Sequence, residues 1–430
     1  MSTPSRRLVA LALQGVFDRN QRIADEWDRG LGPEDARFAQ AILGHCLRKW
    51  GRLQAYVKPR LTQSSRLLPV NTQVALAMGL AQLAWMDGVA SHAAVSETVG
   101  MMADPEVGFQ PHQGLVNAIL RRAAADRAGL RNDLDALPAV LDRSPFIRRA
   151  LEGALDPHDA KEDLELLWSR LQTPPRPTFR RLRDEPLPEG LVPDPDLPEA
   201  YTLEAGAPFP RVWLSNGAGM VQDRSSQAML RFDWQAPVHR ILDTCAAPGG
   251  KSTALALRYP DSQLYAVEVN PKRAERFKKT LVQRGIETQV AEVVVTDAAA
   301  WLKGGGAPFD LILVDAPCSA SGTLQKHPEL TWIGDSLDLK RLVAAQWALI
   351  EAAIPRLAKG GLFIYAVCSW LPEECRKHYE RAQMEFPEME PAAVWPDGFG
   401  LRPGPSPVFC PHPIQWDGEG FQAFALKRPL

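Results

Sequence analysis

Over the first 131 residues, apolar positions recur at three- and four-residue intervals. Leu8, Leu11, Ala12 and Val16 do so across residues 7–17, and Phe38, Ala41, Ile42, His45 and Cys46 across 35–50. Such spacing lays one apolar stripe along a helix. Segments 74–86 and 92–102 are rich in apolar helix formers, and 114–125 carries Leu115, Ile119 and Leu120 ahead of Arg121 and Arg122. Glycine or proline punctuates the joints at 30–33, 69 and 108–111, so residues 1–131 are expected to form an all-α bundle.

The pattern then changes twice. Residues 132–215 read as a connector, with a helical pattern at 156–171 and then ten prolines between Pro174 and Pro210. That density leaves room only for short strands and turns. From 216 to 430, near-continuous apolar runs at 241–243, 264–269, 293–295, 311–314 and 362–367 alternate with amphipathic segments such as 271–283 and 339–357. Apolar strands separated by helices make a parallel sheet covered on both faces. The expectation is an α/β, Rossmann-like domain with ligands at the carboxyl ends of its strands. Residues 420–427 are expected to add an antiparallel edge strand.

Composition narrows the class. Apolar residues are 45% and charged residues 23% of 430, ordinary values for a globular chain. Six cysteines are too few for a disulfide scaffold, no CxxC pair occurs, and no histidine has zinc-type spacing, so no metal is expected. No apolar run approaches the ~20 residues of a membrane span. The apolar stretch 8–16 is followed by the polar, charged segment 18–22 and reads as a helix rather than a signal peptide, so a cytoplasmic location with reduced thiols is expected. The net charge of −2 speaks against nucleic acid until it is divided: residues 1–131 carry +5 and the remainder −7.

The first strand of the α/β region runs into Asp243-Thr244-Cys245-Ala246-Ala247-Pro248-Gly249-Gly250-Lys251. Paired glycines allow a tight turn and close backbone approach to a ligand at a helix N-terminus. The loop is neither GxGxxG nor GxxxxGK[ST], which disfavours a dinucleotide or a P-loop nucleotide. Glu268, 18 residues after Gly250, is placed to accept both ribose hydroxyls of a nucleoside cofactor, and Asp297 to take the exocyclic amine of an adenine. This series fits S-adenosylmethionine, which has no pyrophosphate to cradle.

Two successive strands end in a Cys-Ser pair: Asp315-Ala316-Pro317-Cys318-Ser319 and Val367-Cys368-Ser369. A lone buried cysteine is usually an inert small hydrophobe, but two at the ligand-binding edge suit methylation of a pyrimidine at C5. Thiolate attack at C6 makes C5 enamine-like, and a protonated carboxyl group near N3, the role expected of Asp315, helps the ring accept the thiolate. Cys245 is expected to pack rather than react.

These motifs resemble those of the Sun (Fmu) family of RNA cytosine-C5 methyltransferases. The segment Val221-Gln222-Asp223 with Ser226-Gln227, His327-Pro328-Glu329-Leu330 and Leu371-Pro372-Glu373-Glu374 are also similar to it. The resemblance implies that Cys368 is the nucleophile, that Cys318 assists product release, and that RNA rather than DNA is the substrate, since the DNA enzymes attack through the cysteine of a Pro-Cys motif. At the front, Asp35-Ala36-Arg37-Phe38, residues 92–97 (His-Ala-Ala-Val-Ser-Glu) and residues 116–122 (Val-Asn-Ala-Ile-Leu-Arg-Arg) resemble the NusB-like RNA-binding domain. The two together are the architecture of the RsmB type, which implies a cytosine of 16S rRNA as target. The alternatives are the same chemistry on tRNA or another RNA, or a non-catalytic assembly or antitermination factor.

The chain departs from the family pattern at Val367, usually threonine, at Cys375, often asparagine, and at Gln325 and Lys326, often two arginines. An active enzyme is expected, acting as a monomer. Arg48, Lys49, Arg52, Arg121, Arg122, Arg176, Arg180 and Arg181 are expected to hold RNA backbone.

Overall fold

The computed structural model describes residues 3–24, 26–61, 67–108, 110–155, 161–396 and 407–430. The chain divides into two compact units, Met1–Arg148 with Lys326–Leu337, and Arg149–Gln325 with Asp338–Leu430.

The first unit is helical: α1 (Pro4–Arg19), α2 (Pro33–Arg48), α3 (Trp50–Val57), α4 (Val70–Trp85), α5 (Ser91–Met101), α6 (Gln113–Ala125) and α7 (Arg127–Ala136). Prolines in the first turns of α1 and α2 sit where a missing N–H costs nothing. α4 is buried from Val74 to Ala84, and α1, α2, α3, α5, α6 and α7 pack around it. Its one long polar side chain there, Gln82, is satisfied: Oε1 accepts from Arg6 Nε at 2.9 Å, and Nε2 donates to the Met78 carbonyl at 2.9 Å. The apolar stripe at 35–50 does not continue as one helix, because Lys49 leaves helical geometry (φ −125°) and separates α2 from α3.

Some expected RNA contacts are already engaged. Arg52 is buried against Asp142, its Nε 2.6 Å from Oδ2 and its backbone N–H on Oδ1, so an unpaired carboxylate would be the cost of turning it outward. Arg48 is half-buried, and loss of solvent lowers its pKa to about 10. Arg121 and Arg122 on α6 are exposed.

α8 (Pro145–Ala154) leads into the second unit, where α9 (Lys161–Leu171) forms part of the helix expected at 156–171. Residues 156–160 lie outside the described residues. The proline-dense stretch builds an antiparallel sheet from β1 (Thr178–Arg181), β2 (Leu191–Pro193), β3 (Ala200–Leu203) and β4 (Gly219–Val221), in the order β2-β3-β1-β4. Phe179, Leu191, Tyr201 and Leu203 join Trp213 of the short α10 (Arg211–Ser215) beneath it. Here too an expected RNA contact is lost: Arg180 is buried, and its Nη2 donates to Glu199 at 2.7 Å. Arg181 is tied to Asp184 and to the Glu185 carbonyl, whereas Arg176 is exposed.

After α11 (Arg224–Met229) comes the main sheet: β5 (Arg240–Asp243), β6 (Gln263–Val267), β7 (Val290–Val294), β8 (Phe309–Asp315), β9 (Leu357–Val367), β10 (Glu390–Pro391), β11 (Val408–Phe409) and β12 (Gln422–Lys427). The order is β10-β12-β9-β8-β5-β6-β7, parallel from β9 to β7, with β11 on β12. β12 is antiparallel to β9 as expected, but it is not an edge, because the backbone groups of its outer side pair with β10 and β11. Alternation divides the core into two faces. Ile241, Leu311, Leu313, Ile364 and Ala425 pack on one, and Leu242, Ile312, Val314, Tyr365 and Phe424 on the other. The covering helices are α12 (Gly250–Arg258), α13 (Pro271–Arg284), α14 (Ala298–Lys303), α16 (Leu339–Ala353) and α17 (Arg376–Glu385). The short α15 (Leu330–Ile333) belongs to the first unit, where Trp332 Nε1 donates to the Leu47 carbonyl at 2.7 Å.

From β5 the chain winds outward through β6 and β7, then returns to place β8 on the other side of β5. The carboxyl ends of β5 and β8 therefore flank the switch point, where an open α/β sheet leaves a crevice for ligands.

Candidate active site

The loop after β5 is held from beneath by Asp243. Its Oδ1 accepts from the Cys245 N–H at 3.2 Å and its Oδ2 from the Ser252 hydroxyl at 2.6 Å. Burial raises the Asp243 pKa to about 6 despite these bonds. Gly249 turns the loop into α12 with φ +101°, and a Cβ there would lie 2.8 Å from the Phe277 ring. Cys245 packs against the core, and burial followed by the charge of Asp243 pushes its thiol up to about 12.

Glu268, just past β6, is buried. Its Oε1 accepts from the Asn270 N–H at 2.9 Å, and Arg273 lies 3.4 Å from Oε2 while also donating to the Ala247 carbonyl at 2.5 Å. Arg273 thus braces the glycine loop against Glu268, a part that no sequence pattern announces. Asp297 is exposed, and its Oδ1 caps α14 by accepting from the Ala300 N–H at 2.8 Å.

Lys251 sits in the first turn of α12, and its Nζ lies 2.7 Å from Asp315 Oδ2 at the end of β8. Burial opposes its charge, but Asp315, with help from Cys368 and Asp243, outweighs burial and raises its pKa above the usual lysine value. The sequence groups Lys251 with the glycine loop, and the fold brings its side chain to the chemical residues.

Cys318 and Cys368, from the loops after β8 and β9, have their sulfurs 3.5 Å apart. The hydrogen bond to Cys368, then burial, then the charges of Cys368 and Glu374 push the Cys318 thiol well above the ordinary range. The following serines meet beneath: Ser319 Oγ and Ser369 Oγ are 3.3 Å apart and both donate to Glu374 Oε2. Glu374 Oε1 accepts from the Ser319 N–H at 2.8 Å and from Gln346 Nε2 at 2.9 Å. Glu374 lies in the Leu371-Pro372-Glu373-Glu374 motif, the one sequence signal that could have marked it, and Gln346 had none. Cys375 and Cys46 are free and buried.

Two parallel strand ends thus present a pair of thiols beside a lysine–carboxylate pair, at the same edge of the sheet as a glycine loop and a buried glutamate. Residues 235–427 match the family model described as 16S rRNA methyltransferase RsmB/F. Residues 235–427 form an RsmB/F methyltransferase domain. Residues 3–125 match the NusB family. Ribosomal RNA small subunit methyltransferase B of Salmonella paratyphi C (strain RKS4594) is 28% identical over 429 residues, covering 97% of this chain and 96% of that protein. The protein of the same name from Salmonella enteritidis PT4 (strain P125109) is 28% identical over 428 residues. Among solved structures, PH0851 superposes with a TM-score of 0.72 at 19% identity over the full length of both chains. NSun6 from Pyrococcus horikoshii gives 0.55 at 18% identity, over 66% of this chain and 98% of that one. These two likenesses bear on the fold.

With that domain the chain is an RNA cytosine-C5 methyltransferase that uses S-adenosylmethionine. The residues at this edge fit that cofactor. Beside Gly250 lies Gln222, whose Nε2 would be 3.5 Å from a Cβ at that glycine and whose Oε1 is buried without a partner. An orphaned acceptor there suits the ammonium of an amino-acid moiety. Among the described residues, no helix is long and apolar enough to cross a membrane, and no group of three His, Cys, Asp or Glu could hold a metal ion.

Proposed function

We propose that this enzyme methylates C5 of a cytosine in 16S rRNA through a covalent adduct between Cys368 and C6. The observation that carries the reading is the 3.5 Å approach of Cys318 and Cys368 beside the Lys251–Asp315 pair. Similarity over 97% of this chain and 96% of a relative named for the small-subunit ribosomal RNA supports the substrate.

The target base leaves its stack, or is already unpaired, to reach the thiols. The Cys368 thiolate adds to C6. The Lys251–Asp315 pair, Nζ 2.7 Å from Oδ2, holds a proton at N3 as electron density flows into the ring. Asp315 raises the pKa of Lys251 above the usual lysine value, which leaves an ammonium as a proton source beside N3. S-adenosylmethionine, held by residues 245–251, Glu268 and Asp297, supplies an electrophilic methyl group. Once C5 carries the methyl, Cys318, which has passed its own proton to solvent water after Cys368 was alkylated, takes the C5 proton as thiolate, the C–H electrons form the C5–C6 double bond, and the C6–S pair returns to Cys368 as thiolate.

Bonding of Cys368 to C6 removes its hydrogen bond to Cys318 and its negative charge. Two of the influences that hold Cys318 protonated vanish at that moment. The same thiol is thereby kept out of the attack and released for the resolution.

Residues 1–131 serve as the RNA-holding domain, 132–215 as connector and 216–430 as the catalytic domain of a monomer. Exposed Arg121, Arg122 and Arg176 are the basic side chains offered to RNA backbone. The test is methyl incorporation from labelled S-adenosylmethionine into 16S rRNA, naked and in the subunit, with bisulfite sequencing of rRNA and tRNA from cells lacking the protein. A 16S cytosine that loses its mark supports the proposal, and a mark lost only from tRNA overturns the substrate. No incorporation into any RNA would return the chain to the assembly-factor reading.

A further inference from the structure

Glu374 is closed off from solvent. It is 0% exposed and still accepts four hydrogen bonds. Two come from Ser319, the neighbour of Cys318, and one from Ser369, the neighbour of Cys368. The fourth comes from Gln346 of α16, whose Nε2 also donates to the Pro317 carbonyl at 2.9 Å. One carboxylate thus ties together the residues flanking both catalytic thiols, which belong to different strands.

The surroundings make this tie rigid. Ser369 Oγ accepts from the Leu371 N–H at 3.0 Å and Ser321 Oγ from the Trp370 N–H at 3.0 Å, with the two hydroxyls 3.0 Å apart. Behind Gln346, His378 Nε2 lies 3.0 Å from Oε1, and burial followed by the charge of Arg381 lowers its pKa to about 4. A neutral His378 donating from Nε2 fixes the Gln346 amide with its Nε2 toward Glu374. Tyr365 anchors the same turn, its hydroxyl 2.7 Å from the Glu374 carbonyl. Every donor of the cluster is spent within it, which leaves little freedom for either thiol-bearing loop.

We propose that Glu374 is a positioning residue that sets the separation of Cys318 and Cys368 and makes Cys318 the stronger proton acceptor when the adduct resolves. The proposal rests on the roles given above to the two cysteines. Its electrostatic half follows from the groups facing Cys318. Cys368 from the loop after β9, Glu374 from the turn that follows and Tyr365 of β9 lie on one side. Asp315 of its own loop is neutralised by Lys251 of α12, and His378 of α17 is uncharged. With Cys368 consumed in the adduct, Glu374 is the negative charge left to favour protonated Cys318. It therefore strengthens Cys318 as the acceptor of the C5 proton, while the C–H electrons form the ring double bond and expel Cys368.

The test uses the full chain, labelled S-adenosylmethionine and total RNA from cells lacking the protein. Glu374→Gln keeps the shape, and both serine hydroxyls can turn to accept from the new amide, so it removes charge with little change in packing. Expected for it are unchanged cofactor affinity, a near-normal first turnover, a steady-state rate lowered about tenfold and a protein–RNA adduct that accumulates. In the RNA-free enzyme, the pH profile of Cys318 alkylation, read by mass spectrometry, should shift to lower pH. Glu374→Ala frees both loops and should lower kcat about 10²-fold with KM for the cofactor unchanged. A Glu374→Gln enzyme with wild-type adduct level and wild-type alkylation profile overturns the proposal. Cys318→Ala run alongside separates the two ideas: if it accumulates no adduct, the release role given to Cys318 has failed, and with it the electrostatic half of the proposal.

Discussion

Lys251 Nζ and Asp315 Oδ2 lie 2.7 Å apart, joining the first turn of the helix after the glycine loop to the end of the fourth strand of the parallel sheet. Asp315 links to one thiol through its own loop, and Lys251 adjoins the residues assigned to the cofactor. Replacing Lys251 by methionine preserves the aliphatic stem but removes the proton held for N3. A loss of about 10²–10⁴-fold in single-turnover methyl transfer is expected, with S-adenosylmethionine binding by calorimetry changed by only a few fold. Equal losses in binding and rate would instead make Lys251 a cofactor ligand.

The thiol pair predicts opposite phenotypes from two similar substitutions. Cys318→Ala should trap protein on RNA, seen as a slowly migrating band resistant to denaturant, while Cys368→Ala should form no such band and transfer no methyl. A fully active, adduct-free Cys318→Ala enzyme would remove the release role.

Gly249 combines a left-handed backbone with close approach to Phe277. Gly249→Ala places a Cβ at 2.8 Å from that ring in a conformation L residues avoid, at a cost of roughly 1–3 kcal/mol. A lower Tm is expected, together with a smaller rise in Tm on adding S-adenosylmethionine, because the loop is part of the site. Wild-type values for both would show that the loop yields freely.

Acid lability follows from His378, whose folded pKa of about 4 lies below the ordinary value of 6.5. The unfolded chain binds the proton more readily, so the contribution of neutral His378 is complete above about pH 6.5 and is lost as pH falls toward 4. About 3 kcal/mol is at stake for a shift of this size. Asp243 acts in the opposite sense, since its raised pKa of about 6 gives stability that is lost as pH rises from about 4 through 6. The two overlap in the wild type, so the quantity to measure is the difference between wild type and His378→Gln in urea unfolding at several pH values. That difference should grow with pH between about 4 and 6.5 and be flat above; a flat difference throughout would mean that His378 titrates normally.

Much of the architecture was legible because it depends on short-range regularities. Apolar stripes at helical spacing mark α1, α2, α4, α5 and α6, and continuous apolar runs mark β5 to β9. The apolar run at 420–427 marked β12 as a strand, but its place inside the sheet depends on β10 and β11, two-residue strands too short for any pattern. Arg52 and Arg180 look like surface cations in the sequence. Their burial depends on Asp142, 90 residues away from Arg52, and on Glu199, 19 residues from Arg180.

The sequence by itself determined which residues stand at the strand ends: the glycine loop, Glu268, Asp297, Asp315 and the two Cys-Ser pairs. Strand and turn signals are local, and a parallel sheet delivers every such end to one edge. Only the tertiary structure decided which of these groups meet. Lys251 and Asp315 are 64 residues apart, the two thiols 50, and Ser319 and Glu374 55. Contacts of that range depend on strand order, loop path and the packing of α16 and α17 behind the sheet. Hydrogen bonds form over about 3 Å of space, and linear spacing carries no record of that distance.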